Sequence, residues 1–153
     1  MGAPVASKSS ARKPRVVAEK KNTRNKVSRQ LWRGLTRFNK KTAGPFHYSR
    51  IVLSARNESG RVVGGLILQS YWTESYVEVL WLEDRARGQG LGRELMQEAE
   101  RRARRRGSRL IHLNTYSFQA PGFYEKLGFK RFGGMEGSPR GASRHFFVKV
   151  LRP

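Results

Sequence analysis

The stretch Arg85-Ala86-Arg87-Gly88-Gln89-Gly90-Leu91-Gly92 is the part of the sequence best suited to bind an anion. Glycines at alternate positions let the backbone adopt positive φ and approach a bound group with no Cβ in the way. Between a strand and a helix, such a turn presents unpaired N–H groups of the first helical turn, and the helix dipole favours negative charge there. Phosphate is the anion this arrangement suits. Arg85 and Arg87 add positive charge beside it. The dinucleotide fingerprint G-x-G-x-x-G is not met, because Arg93 to Leu95 supply no later glycine. The nucleoside-triphosphate loop G-x-x-x-x-G-K-S/T also fails, since Arg93 follows Gly92. The pattern Q/R-x-x-G-x-G/A fits twice, as Arg85…Gly88…Gly90 and as Arg87…Gly90…Gly92. A tight strand-to-helix turn with no ligand is the plain structural alternative.

Positioning that loop requires a strand before it and a helix after it, and both are legible. Residues 75–82 read as a strand, with Val77, Val79 and Trp81 alternating against Tyr76, Glu78, Leu80 and Leu82. Leu91, Leu95, Ala99 and Ala103 then share one helix face, and Gly107 supplies a C-terminal stop. Earlier, residues 47–56 and 61–71 form two strands joined by the turn residues Asn57-Glu58-Ser59-Gly60. Later, residues 109–114 are a strand, 119–127 a short helix closed by Gly128, and 129–132 and 144–151 two final strands. The expectation is an α/β protein with one sheet and few helices. There is no internal repeat.

Charge divides the chain differently. The 153 residues carry 32 Lys and Arg against 11 Asp and Glu, a net +21. Residues 1–45 hold 13 of those basic residues against the single acid Glu19. Residues 1–26 have no sustained apolar periodicity and read as a basic, disordered arm, leaving 27–153 as the folded domain. An organellar targeting peptide is the alternative for that arm, although it lacks an amphipathic face. Leu31, Leu35 and Phe38 indicate a short amphipathic helix over 27–38. With no cysteine, disulfide frameworks, thiolate zinc sites and cysteine nucleophiles are excluded. His47, His112 and His145 lack metal-ligand spacing, so no metal site is expected. No apolar run is long enough to span a membrane.

Two blocks of this sequence resemble the GCN5-related N-acetyltransferase (GNAT) superfamily. The first is Leu80-Trp81-Leu82, the loop Arg87 to Gly92, then Leu95 and Ala99; the second runs from Leu113 to Phe129 and ends Phe-Tyr-Glu-Lys-Leu-Gly-Phe. The resemblance covers about residues 46–151 and implies a mixed, mostly antiparallel, splayed sheet flanked by helices. It implies acetyl-CoA as co-substrate and direct transfer of its acetyl group to a primary amine in a ternary complex. Leu80, Trp81 and Leu82 would pair with the pantetheine arm, and Arg85, Arg87, Gly88, Gln89, Gly90, Leu91 and Gly92 would hold the pyrophosphate. By similarity, Asn114 would hydrogen-bond the cofactor arm and Tyr124 would protonate the departing thiolate. Glu78 stands where some members carry a general base, with solvent exposure as its plain alternative.

The acceptor is left open, as a small-molecule or protein amine. Polycationic acceptors want several acids, and only Glu74, Glu78 and Glu136 are at hand. Tyr71, Trp72 and Tyr76 are aromatic candidates for its pocket, core packing being the alternative. A different class of reading makes the protein a nucleic-acid- or ribosome-associated module using residues 1–45, or an acetyltransferase of an RNA-linked amine. The run Arg101, Arg102, Arg104, Arg105, Arg106 reads first as a solvated helix face and second as a polyanion contact. Cytoplasmic location and a possible dimer complete the expectations.

Overall fold

The computed structural model describes residues 14–137 and 139–151. The chain divides into two compact units at Gly44. Among the described residues, the first contains one helix, α1 (Lys21–Ala43), which carries Leu31, Leu35 and Phe38 along one face. It starts at Lys21 rather than at residue 27, so part of the segment read as an arm is helical. Residues 21–26 contain no apolar side chain that would give a periodic signal before Lys26-Val27. Local bonds hold the first turn instead: Thr23 Oγ1 donates to Glu19 at 2.6 Å, and the Thr23 and Arg24 N–H groups close onto the Lys20 carbonyl. Gly44, at φ 78°, ends the helix. Residues 1–13 of the expected arm lie outside the described residues.

The second unit is built on a six-stranded sheet in the order β1-β2-β3-β4-β6-β5. The strands are β1 (Ser49–Arg56), β2 (Val62–Tyr71), β3 (Glu74–Leu82), β4 (Leu110–Tyr116), β5 (Lys130–Met135) and β6 (Arg144–Val150). Every neighbouring pair is antiparallel except β3 and β4, which run parallel and are joined by α2 (Leu91–Arg106). A shorter helix, α3 (Pro121–Lys126), follows β4. The expected mixed, mostly antiparallel sheet is present. β5 runs past residue 132 because its ladder absorbs Gly133 through an irregularity between Arg131 and Gly133. Read from sequence alone, this strand ends at residue 132.

One face of the sheet meets α2 in a continuous core. Leu66, Leu68, Val77, Ile111, Leu113 and Phe147 from the strands pack with Leu95, Met96, Ala99 and Ala103 from the helix. Ala99 and Ala103 are fully buried, and their small side chains let the helix axis approach the sheet closely. Burying each large aliphatic or aromatic side chain here contributes roughly 1.5–3 kcal/mol. Polar groups in the core are matched: Ser70, Ser75 and Ser108 form a buried hydroxyl chain with two 2.8 Å links. Lys149 reaches Glu100 on α2 at 2.8 Å and the Leu127 carbonyl at the end of α3, also at 2.8 Å. Gly107, at φ 91°, closes α2.

β3 departs from the simple alternation expected of it. Its register against β2 shifts between Ile67 and Leu68, whose partners are Val79 and Val77. Glu78 is therefore an extra, unpaired residue, a β-bulge. Before it, Ser75 and Val77 face the core; after it, Leu80 and Leu82 do. The bulge reverses the parity, so Val79 and Trp81 turn outward and are half exposed. Because residues 79–82 are all apolar, the sequence reads equally well in either parity.

Candidate active site

β3 and β4 stay paired only from Glu74↔Leu110 to Val77↔Leu113. Beyond that point β3 remains on β2 and β4 remains on β6, so the two parallel strands part. A cleft of about 960 Å³ opens in the gap, walled by residues 77–82 of β3 on one side and 113–115 of β4 on the other. Its ends are closed by the glycine loop and by Phe118, Phe123 and Tyr124. Parting leaves the β4-facing edge of β3 with no strand partner, which is the arrangement that can accept an extended ligand as an added strand.

Close packing behind this edge explains two glycines in β2. A Cβ on Gly64 would lie 2.6 Å from the Trp81 carbonyl oxygen, and one on Gly65 would lie 2.4 Å from that of Leu53. Glu83, just past β3, is clasped by Arg61 at 2.6 and 2.9 Å, and Asp84 pairs with Arg87 at 3.1 Å. These acids brace the entry to the loop.

The loop itself has the conformation its composition predicts. Gly88 has φ 74° and Gly90 φ 86°, and Gly90 is the residue from which α2 starts. Among the described residues, the N–H groups of Gly88, Gln89, Gly90, Leu91 and Gly92 take no backbone or side-chain acceptor. A row of free donors at a helix start fits a diphosphate well. Arg87, Gly88, Gly90 and Gly92 line the cleft, as does Arg93, which forms no ion pair among the described residues. Arg85, Gln89 and Leu91 are outside its lining; the Gln89 side chain instead donates to the Arg85 carbonyl at 2.7 Å and stiffens the turn. Gly92 packs under Phe123, whose ring edge a Cβ would approach to 3.3 Å.

Tyr124 sits on α3 with its ring in the core, against Phe123, Phe129 and Phe147. The residue also lines the cleft, and its hydroxyl has no hydrogen-bond partner among the described residues. Burial pushes the phenol up to about 12. The group is therefore a neutral hydrogen-bond donor at every physiological pH, and a weaker acid than a free phenol. α3 begins with Pro121, whose fixed φ suits the first helical position.

The opposite face of the sheet carries the other polar groups. Glu78 lines the cleft and receives a 3.4 Å contact from Arg50 on β1. Asn114 also lines it, but its side-chain amide is already committed: Nδ2 donates to the Tyr76 hydroxyl at 2.7 Å, and Oδ1 accepts from Arg144 Nε at 2.8 Å. Tyr76 stacks on His112 at 5.0 Å. His112 Nε2 is buried with no partner, and burial lowers the imidazole pKa against the raising charge of Glu74. Tyr71 and Trp72 cluster with Phe46 at the far end of the β2–β3 hairpin and do not line the cleft. Arg101, Arg102 and Arg105 on α2 reach Glu98, whose carboxyl pKa Arg101 and Arg102 lower, while Arg104 and Arg106 bond the Leu151 and His47 carbonyls.

Sequence reasoning thus named Glu78, Leu80, Trp81, Leu82, Arg87, the cleft-lining glycines, Asn114 and Tyr124, and the fold brings these together. It missed Arg93, Phe118 and Phe123, which also line the cleft, and Arg144, which bonds to Asn114. Arg93 was findable, as the first cation after the glycines. Arg144 had no signal, being one of 32 basic residues. No group of His, Cys, Asp and Glu able to hold a metal occurs among the described residues, and no helix there is long and apolar enough to cross a membrane.

The sequence profile of the family described as Acetyltransferase (GNAT) matches residues 18–129. The chain is 39% identical over 98 residues to the blasticidin-S acetyltransferase of Streptomyces morookaense, covering 63% of this chain and 72% of that relative. The crystal structure of an acetyltransferase from Bacillus cereus superposes with a TM-score of 0.78 at 28% identity, covering 90% of this chain and 97% of that one. An aminoglycoside 6'-N-acetyltransferase complexed with coenzyme A shares the fold, with a TM-score of 0.59 at 21% identity over 68% of this chain and 74% of that one.

Proposed function

The chain belongs to the GNAT acetyltransferase family and is an acyltransferase using acetyl-CoA as co-substrate, and from that premise we propose that it acetylates a primary amine of a small molecule in the cleft between β3 and β4. The single observation that carries the reading of the site is the row of free N–H donors from Gly88 to Gly92 beside the open edge of β3. Those donors, with Arg87 and Arg93, hold the pyrophosphate, and the backbone of Leu80 to Leu82 pairs with the pantetheine arm. Acetyl-CoA supplies an acetyl group activated as a thioester. Arg85, Gln89 and Leu91 shape the loop around it.

Roles for the chain's own groups follow from charge and position. An amine arrives as ammonium and must lose a proton to become a nucleophile, and the Glu78 carboxylate at the mouth of the cleft accepts it. The Tyr124 hydroxyl, neutral and unpartnered, donates a hydrogen bond to the sulfur as negative charge develops there. Its high pKa makes it a stabilising donor more than a source of a fully transferred proton. Asn114 acts on the acceptor side of the cleft, since its amide is held by Tyr76 and Arg144. The relative named for blasticidin S supports a small-molecule acceptor over a protein amine.

Calorimetric titration with acetyl-CoA and a thiol-release screen across amines, blasticidin S included, test this reading. Saturable binding and turnover are expected; absence of acetyl-CoA binding to purified protein overturns it. A second reading gives the basic segment a polyanion. It is favoured by α1, whose 23 residues include eight Lys and Arg and no acid. RNA affinity that falls steeply with salt and vanishes on removing residues 1–44 would support it; salt-independent or absent binding would refute it.

A further inference from the structure

Arg144 is bonded to Asn114, a residue of the cleft lining, and the proposed chemistry does not use it. It stands on β6 opposite Tyr116 of β4. Its Nε is spent on Asn114 Oδ1 at 2.8 Å, and its guanidinium carbon lies 5.7 Å from the Tyr116 ring centroid and 5.6 Å from that of Phe146. Three contacts therefore fix the plane of the guanidinium, yet no carboxylate pairs with it among the described residues. Its two terminal nitrogens remain as parallel donors. A planar, pre-oriented, unpaired guanidinium is suited to grip a carboxylate or phosphate in two-point fashion.

Its neighbours point the same way. Asn114 lines the cleft, and its amide joins Arg144, which stands behind that lining, to it. The Tyr76 hydroxyl accepts from Asn114 Nδ2, so its own proton is left to donate. Glu78 lies on the same side of the sheet, as its contact with Arg50 demonstrates. β3 carries Glu78 and β6 carries Arg144, with β4 between them. Carboxylate and guanidinium are thus more than the roughly 10 Å of two strand spacings apart at the backbone, because β3 and β4 have parted at Glu78 and Arg144 stands further along, opposite Tyr116.

Resting on the acetyltransferase reading above, we infer that the acceptor is an amphoteric molecule whose amine faces Glu78 and whose carboxylate or phosphate is held by Arg144, with the Tyr76 hydroxyl as a second donor. Asn114 is a positioning residue in this arrangement. It orients the guanidinium and carries no charge of its own to the acceptor. Polycations lacking an anionic group are poor acceptors on this account.

The test uses length-matched probes: ω-amino acids of four to eight carbons and their primary amides, offered with acetyl-CoA and followed by thiol release. Binding of each probe to the CoA-loaded protein is measured in parallel by calorimetry. At least one pair should show a carboxylate preference in kcat/KM and in affinity, on the order of ten- to a hundredfold. Arg144→Gln should bring that ratio near one while turnover of the amide and acetyl-CoA affinity stay within about threefold. Asn114→Ala should lower the ratio without abolishing it, a change in selectivity that a purely structural role would not produce. Equal use of acid and amide by the natural protein overturns the inference, as does a preference that survives Arg144→Gln. Failure of both probe classes to bind also overturns it. Failure of acetyl-CoA to bind, by contrast, overturns the acetyltransferase reading itself.

Discussion

Replacing Tyr124 by Phe removes one oxygen and leaves the ring between Phe123, Phe129 and Phe147, whose centroids lie 5.1, 6.2 and 6.1 Å away. The hydroxyl has no partner in the chain to leave unsatisfied, so stability should change by less than about 1 kcal/mol. Its role in the reaction is a different quantity. A pKa pushed up to about 12 disfavours the phenolate by about 3 kcal/mol relative to a free phenol, and at pH 8 only about one molecule in ten thousand is ionised. The group is then a reliable neutral donor to a sulfur gaining charge. Losing such a hydrogen bond costs about 1.5–3 kcal/mol, so kcat should fall roughly ten- to 150-fold. Initial rates of thiol release at saturating substrates, from pH 6 to 10, measure this, with melting temperature and acetyl-CoA affinity as controls. Because the donor is lost only as pH climbs toward 12, the ratio of the two proteins' rates should be flat across that range. Rates within twofold of each other would refute the role, as would a ratio that collapses between pH 8 and 9.

Gly90→Val should weaken acetyl-CoA binding at least tenfold by calorimetry. Gly60→Val, at a similar φ of 78° in a distant hairpin turn, should leave that affinity unchanged although it carries comparable backbone strain. Glu78→Gln should lower kcat/KM about a hundredfold near neutral pH, with the deficit shrinking as pH rises toward the acceptor amine's own pKa; a deficit independent of pH would argue against proton acceptance by Glu78. His112 has a pKa lowered by burial, so the folded state binds fewer protons than the unfolded chain near pH 6. Its stability contribution is intact above the ordinary histidine value of about 6.5 and is lost as pH falls through the lowered folded value. His112→Phe, which keeps a ring against Tyr76, should flatten the fall in urea midpoint between pH 7.5 and 5.5; equal slopes in both proteins would contradict this.

The loop and its helix were legible because glycine spacing and an i, i+4 apolar stripe are local signals. Leu95, Ala99 and Ala103 are buried as that stripe indicates, with Met96 added beside them. The bulge at Glu78 was not legible. A parity switch shows only where polar residues mark the two faces, and Val79-Leu80-Trp81-Leu82 offers none. The start of α1 was hidden for a related reason, since Lys-Asn-Thr-Arg-Asn-Lys has no apolar residue to set a phase. Asn114 lines the cleft, yet its amide turns to Tyr76 and Arg144, partners 38 and 30 positions away. Such long-range pairings come from strand order, which no short motif encodes.

The bulge separates two properties that proteins usually have to change together. An unpaired residue contributes its side chain to the cleft while the ladder on either side closes without it. Position 78 can therefore exchange its chemical group with little effect on the sheet. Deleting the position would leave Val77, Leu80 and Leu82 toward the core and Val79 and Trp81 outward in plain alternation, so the ladder with β2 would close and the side chain in the cleft would be what is lost. The sheet thus constrains neither the identity nor the presence of residue 78, and the demand for a group there comes from the cleft alone. A lineage could retune which amine it accepts at this point without rebuilding the fold that holds the acetyl donor.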